Sequence, residues 1–141
     1  MVVLKGENYF DISDTYIKMC EKAENLQDKW TIMNGDYLFS KETKKIKLVP
    51  SPSPKINHTH KELQDCAVWL PRQDQLQEIL CGVSPVKGWT AYGLAGGLHK
   101  FLLTDYDSSI IDGTMEQYWL SFVMLEKYKK KWDGEEWILT L

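Results

Sequence analysis

The run Pro50-Ser51-Pro52-Ser53-Pro54 divides the chain. Alternating prolines fix φ and remove backbone donors, so neither a helix nor a central strand can pass through it. An extended, polyproline-like connector is expected there. Every regular element must therefore lie wholly before or wholly after this run. At 141 residues the chain has the usual size of one domain, and the pieces on either side are too small to be comfortable alone. The expectation is one domain over residues 1–141, with a Pro/Ser linker and a mobile loop at about 50–66.

Before the linker, Tyr16, Cys20, Ala23, Gln27 and Trp30 recur at steps of three and four. Ile17 and Leu26 widen that face while Lys18, Glu21, Lys22, Asn25 and Asp28 lie opposite, which predicts one helix from Asp11 to Trp30. Ser13 or Asp14 can cap it. A hairpin follows, with arms at 36–40 and 45–49, the second alternating strictly between Ile46, Leu48 and Lys45, Lys47. Such a ribbon needs a further strand or a helix to pack on.

After the linker, Leu70-Pro71 predicts a helix start with Pro71 in the first helical position, and Leu76, Ile79 and Leu80 as the buried stripe. Leu94, Leu98, Phe101 and Leu102 predict another helix from about Leu94, although Gly93, Gly96 and Gly97 each disfavour one. A Thr114-x-x-Gln117 capping box opens a third strong helix, expected over Met115 to about Lys131. Asp133-Gly134 predicts a turn and 136–140 a closing strand, the natural third partner for the hairpin. The fold class is thus α+β: three or four helices packed on a small antiparallel sheet made of the hairpin and the C-terminal strand.

Apolar residues form 43% of the chain, which argues against global disorder. A net charge of −3 supplies no overall field for phosphate backbones, so general nucleic-acid binding is not expected. Cys20, Cys66 and Cys81 are odd in number and lack C-x-x-C spacing, as suits free thiols in a reducing compartment. The apolar run at the N-terminus is too short for a secretory signal, and no stretch is long enough to span a bilayer. The expected location is the cytoplasm, without membrane association.

The segments Trp69–Leu80, Met115–Met124, Glu126-Lys-Tyr128 and Trp132–Trp137, with the Tyr16–Trp30 helix and Gly35-Asp36-Tyr37, resemble a group of small hypothetical proteins encoded in phages and prophages of Firmicutes. The resemblance is absent from the Pro/Ser linker and from the Gly-rich stretch. It implies a genomic context in which small accessory proteins bind and inhibit host components, including defence systems. It implies no catalytic residue.

Each chemical motif has a plainer explanation. His58, His60 and Cys66, with Glu62 and Asp65, offer zinc-ligand types, but a structural site needs separated pairs converging on the ion, so a solvated loop is the simpler reading. Cys20 and Cys81 lie on apolar helix faces, where Cys acts as a small hydrophobe. Asp105, Asp107, Asp112 and Glu116 form an acidic cluster without a known metal-loop spacing. Gly93, Gly96 and Gly97 lack the Lys-Ser/Thr ending of a phosphate loop. Lys127, Lys129, Lys130, Lys131 and Trp132 interleave charge with an aromatic ring, the pattern of a partner-binding or single-strand nucleic-acid surface, or of a well-capped helix end.

The expected function is that of a non-enzymatic, phage-type accessory protein, without a cofactor, that binds a host protein, as an inhibitor of a defence component. Two alternatives stay open. One is a binder that sequesters a small nucleotide, which requires basic and aromatic side chains gathered in one cavity. The other is a metal-dependent enzyme centred on the His58/His60 loop.

Overall fold

The computed structural model describes residues 10–49, 62, 65–81, 91–106 and 113–140. The Pro/Ser linker, with His58 and His60, and the expected helix stop at Gly82 and Pro85 lie outside the described residues. The class is α+β, with five helices among the described residues and two small antiparallel sheets.

Helix α1 (Asp14–Lys22) begins at Ser13, whose hydroxyl accepts the Tyr16 amide, and it buries Tyr16, Met19 and Cys20. The single helix expected to reach Trp30 is instead two. Ala23, at φ −82° and ψ 65°, breaks the ladder, and α2 (Glu24–Lys29) follows as a separate helix. The break has a physical use. The Gln27 side-chain amide donates to the Cys20 carbonyl at 3.1 Å and to the Trp69 carbonyl at 2.9 Å, and its oxygen accepts the Trp69 amide at 2.9 Å. One side chain thus satisfies a strand's backbone as a neighbouring strand would. Periodicity alone cannot foresee this, because the partner lies 42 residues away.

The hairpin forms as expected. Strand β1 (Tyr37–Ser40) pairs antiparallel with β2 (Ile46–Leu48), in register Tyr37↔Leu48 and Phe39↔Ile46. Its third partner is a correction. The strand beside β1 is β3 (Ala67–Leu70), in register Tyr37↔Leu70 and Ser40↔Ala67, giving the order β2-β1-β3. The C-terminal strand expected in that place pairs elsewhere. Ala67-Val-Trp-Leu hides its strand character because all four residues are buried. Val68 and Leu70 face the main core, whereas Ala67 and Trp69 face a second cluster with Trp30, Leu38 and Val49. A strand covered on both faces shows no alternation of polarity.

Leu70 therefore ends a strand instead of starting a helix. Pro71 lies in the connection, where its carbonyl accepts the Tyr16 hydroxyl at 2.6 Å. Helix α3 (Gln73–Cys81) starts two residues later and buries Leu76 and Leu80. Helix α4 (Ala91–Thr104) passes straight through Gly93, Gly96 and Gly97, with Leu94, Leu98 and Phe101 buried.

Helix α5 (Met115–Tyr128) is the centre of the molecule. Its buried side chains run from Glu116 through Met124 with the sole exception of Tyr118, and they pack against α1, α3 and α4. Only half of the expected capping box forms. Thr114 Oγ1 accepts the Gln117 amide, but the Gln117 side chain donates to Asp11 Oδ2 at 2.8 Å instead of turning back on Thr114. The helix also stops three residues before Lys131. Lys129 is left-handed, at φ 57° and ψ 42°, and its N–H bonds the Leu125 carbonyl. Lys130 and Lys131 then belong to β4 (Lys130–Trp132), which pairs with β5 (Trp137–Leu139) in a separate ribbon. The expected turn closes it: Asp133 Oδ1 accepts the amides of Glu135 and Glu136 at 2.8 Å, and Gly134 takes φ 103°. The Trp137 indole anchors the ribbon through the Met19 carbonyl at 2.9 Å.

Candidate functional site

The second hydrophobic cluster is closed by the sheet on one side and open on the other. Its open side is a groove of about 340 Å³ between α2, β3, α3 and the end of α5. Leu26, Trp30, Trp69 and Ile79 form its apolar wall. The Trp30 and Trp69 rings lie parallel, 5° apart in plane with centroids 6.0 Å apart.

A buried carboxylate holds Trp30 in place. Asp36 is only 1% exposed, and its Oδ2 accepts the Trp30 indole N–H at 3.0 Å and the Met33 amide at 2.8 Å. Its Oδ1 accepts the Gln75 side-chain amide at 2.6 Å and lies 3.9 Å from Arg72 Nη1. Gln75 in turn accepts the Arg72 amide at the start of α3. Helix α3, the turn before β1 and one wall of the groove thus share one polar centre. On the other wall, Gln27 fixes the Trp69 backbone from both sides.

The mouth carries charge. Lys29, at the end of α2, and Lys127, near the end of α5, place their ammonium groups 5.8 Å and 5.6 Å from the centre of the Tyr128 ring. Neither lysine joins an ion pair among the described residues. Burial, and then the neighbouring Lys29 charge, lowers the Lys127 pKa. Glu78 is the one carboxylate in the lining, so the groove is locally positive in a chain of net charge −3. Trp69 Nε1 and the Tyr128 hydroxyl, on lining side chains, are closed off from solvent and have no hydrogen-bond partner among the described residues. Burial also raises the Tyr128 pKa, so this hydroxyl is a donor at neutral pH.

A second hollow of about 370 Å³ lies under the ribbon, lined by Phe101, Ser121, Trp132, Trp137 and Ile138. Two of its three charged side chains pair, Lys131 Nζ lying 3.3 Å from Asp105, and Asp133 is the third.

Of the basic residues expected to act together, the structure brings only Lys127 to the groove. Lys129 donates to the Glu126 carbonyl, Lys130 to Asn25 Oδ1, and Lys131 to Asp105. Trp132 is buried against Trp137, with ring centres 5.1 Å apart. The left-handed turn at Lys129 and the strand after it disperse what a continuous helix would have kept on one end.

Cys66 is exposed at the head of β3, and its carbonyl accepts the Lys41 amide. Its expected companions His58 and His60 fall outside the described residues. Cys81 is exposed at the end of α3, and burial pushes the Cys20 thiol pKa up. No group of three or more His, Cys, Asp or Glu side chains converges among the described residues. Within the acidic cluster, Glu116 turns inward to accept the Asp11 amide at 2.9 Å, and burial raises its pKa. Asp107 and Asp112 lie outside the described residues. The three glycines belong to the interior of α4 and form no phosphate-binding turn.

Sequence reasoning missed Lys29, Trp30, Trp69 and Tyr128 as a set. The signal available was the repeated Lys-aromatic pair at two helix ends, Lys29-Trp30 and Lys127-Tyr128. No helix is long and apolar enough to cross a membrane among the described residues. The chain matches no family model, no curated protein and no solved structure.

Proposed function

We propose that this chain is a non-enzymatic binding protein that sequesters a small ligand in the groove beside Trp30 and Trp69. The observation that carries this reading is the groove itself. It gathers basic and aromatic side chains in one cavity, the condition that a ligand-sequestering protein has to meet. Its volume of about 340 Å³ falls at the small end of the roughly 300–1,000 Å³ typical of ligand sites. Its accessible lining combines the apolar side chains of Ile79 and Met33 with the Lys29 and Lys127 ammonium groups beside the Tyr128 ring.

Filling the groove tests the reading. Ile79 is half-buried in its wall, so Ile79→Trp occupies the space a ligand would use. A thermal-shift panel of small metabolites should contain a ligand that stabilises the wild-type chain and not the filled one, with affinity down at least about tenfold. Overpacking can cost about 1–3 kcal/mol, so Met33→Trp, at an exposed lining position, is the companion variant. If both variants fold and bind that ligand as the wild type does, the groove is not the site.

A second reading is capture of a host protein by a phage-type accessory factor, which the resemblance to phage and prophage proteins implies. Exposed apolar side chains support it, with Met33 66% exposed at the rim and Leu48 56% exposed on the edge strand β2. Affinity capture from host lysate separates the two. A host protein retained equally by the wild-type and filled chains supports a surface outside the groove.

A further inference from the structure

Resting on the second reading, in which the chain captures another protein, we infer that the edge of β2 takes up an extended segment of that partner in which acidic and apolar residues alternate. The edge is open along its backbone. Ser40 donates to the Lys45 carbonyl and Val49 to the Asp36 carbonyl, and the register pairs Leu38 with Lys47. In an antiparallel ladder, residues bonded to the neighbouring strand alternate with residues that are not. The amides and carbonyls of Ile46 and Leu48 therefore point away from β1, and no strand lies beyond β2 among the described residues. Such a row is a template for one more strand, and main-chain bonds to it supply the affinity.

The side chains along the edge select what that strand carries. Lys45 and Lys47 lie on one face of β2, about 7 Å apart at the strand's rise per residue. Both are exposed, as is Lys44 in the turn, and none of the three joins an ion pair among the described residues. Glu42 is the one carboxylate between Tyr37 and Val49, so this edge is basic in a chain of net charge −3. On the other face Ile46 is half-buried and Leu48 is 56% exposed. Leu48 stands opposite Tyr37, whose ring stacks on Phe10 with centroids 4.3 Å apart, so that face is apolar up to the edge. Successive residues of an added strand fall alternately on the two faces. Carboxylates then stand beside Lys45 and Lys47, and apolar groups beside Ile46 and Leu48. Lysines on an edge ordinarily keep strands away. Here they also discriminate: a second copy of β2 would set lysine beside lysine, whereas an acidic strand turns the same charges to attraction.

Panning a random dodecapeptide library on the full chain tests this, followed by titration of synthetic copies of the selected peptides. The result expected is peptides with Asp or Glu at every second position and apolar residues between, whose binding weakens with added salt. The double variant Lys45→Glu/Lys47→Glu, changed only at exposed positions, should bind them at least about tenfold more weakly. Strand addition has its own signature in the peptide. N-methylation of one alternate set of its amides, those facing β2, should abolish binding, and methylation of the other set should leave it in place. Selected peptides without the acidic alternation would overturn the inference. So would an equal effect of the two methylation patterns, unchanged binding by the charge-reversed chain, or the selection of no peptide at all. The reading as a protein-capturing chain is decided apart from this. A host protein retained from lysate equally by the wild-type and charge-reversed chains leaves that reading standing and overturns only the role of the β2 edge.

Discussion

Replacing Asp36 with Ala is expected to lower the free energy of unfolding by about 1–3 kcal/mol, the cost of leaving a buried donor without its acceptor. The carboxylate is 1% exposed and receives the Trp30 indole, the Met33 amide and the Gln75 side-chain amide, with Arg72 beside it. Alanine leaves the buried Trp30 indole N–H without an acceptor, whereas the part-buried Met33 amide and Gln75 side chain can turn to water at the groove. Arg72 is partly exposed and can turn to water, so it adds little. Asp36→Asn keeps one acceptor oxygen and should fall between wild type and alanine. Urea denaturation of the three chains measures the order directly. A loss below about 1 kcal/mol for alanine would mean that the network does not hold the groove wall. Because Trp30 hangs from this carboxylate, any surviving ligand affinity of Asp36→Ala should fall as well.

Trp119→Ala should cost about 3–5 kcal/mol, the usual penalty for truncating a large buried aromatic. Trp119 is 4% exposed on α5 and packs with Phe122, ring centres 6.2 Å apart, in the main core. Typical domains have about 5–15 kcal/mol of stability in total, so this single change removes a large share. The melting temperature should fall by more than about 10 °C for a chain of this size. Trp119→Phe is the informative control. It keeps most of the ring contacts and deletes an indole N–H that is buried without a partner, so the two effects partly offset. A melt unchanged by the alanine substitution would contradict the central place of α5.

Much of the architecture is legible in local patterns because the forces behind it are local. The cap at Ser13, the Thr114 hydroxyl on the Gln117 amide, the β1–β2 hairpin and the Asp133-Gly134 turn all involve residues close to one another in sequence, the widest pair being Tyr37 and Leu48. The apolar faces of α1, α3 and α5 are visible for the same reason, since a helix repeats its exposure every three or four residues. The α+β class follows from these elements together.

What was misread turns on partners distant along the chain. The helix expected through Ala23 breaks where Gln27 can serve Trp69, and β3 shows no alternation because both of its faces are covered. The ribbon β4–β5 takes the strand that the hairpin seemed to need, because Lys129 turns left-handed and sends the chain back on itself. The candidate site belongs to this second class. Lys29 and Lys127 are 98 positions apart, and only the packing of α2 beside the end of α5 sets both over one tyrosine ring. Helix faces, turns and class were determined by the sequence through short-range spacing. Strand partners and the groove were decided only by tertiary structure, because burial on two faces and the meeting of remote charges are properties of the folded neighbourhood and leave no periodic trace along the chain.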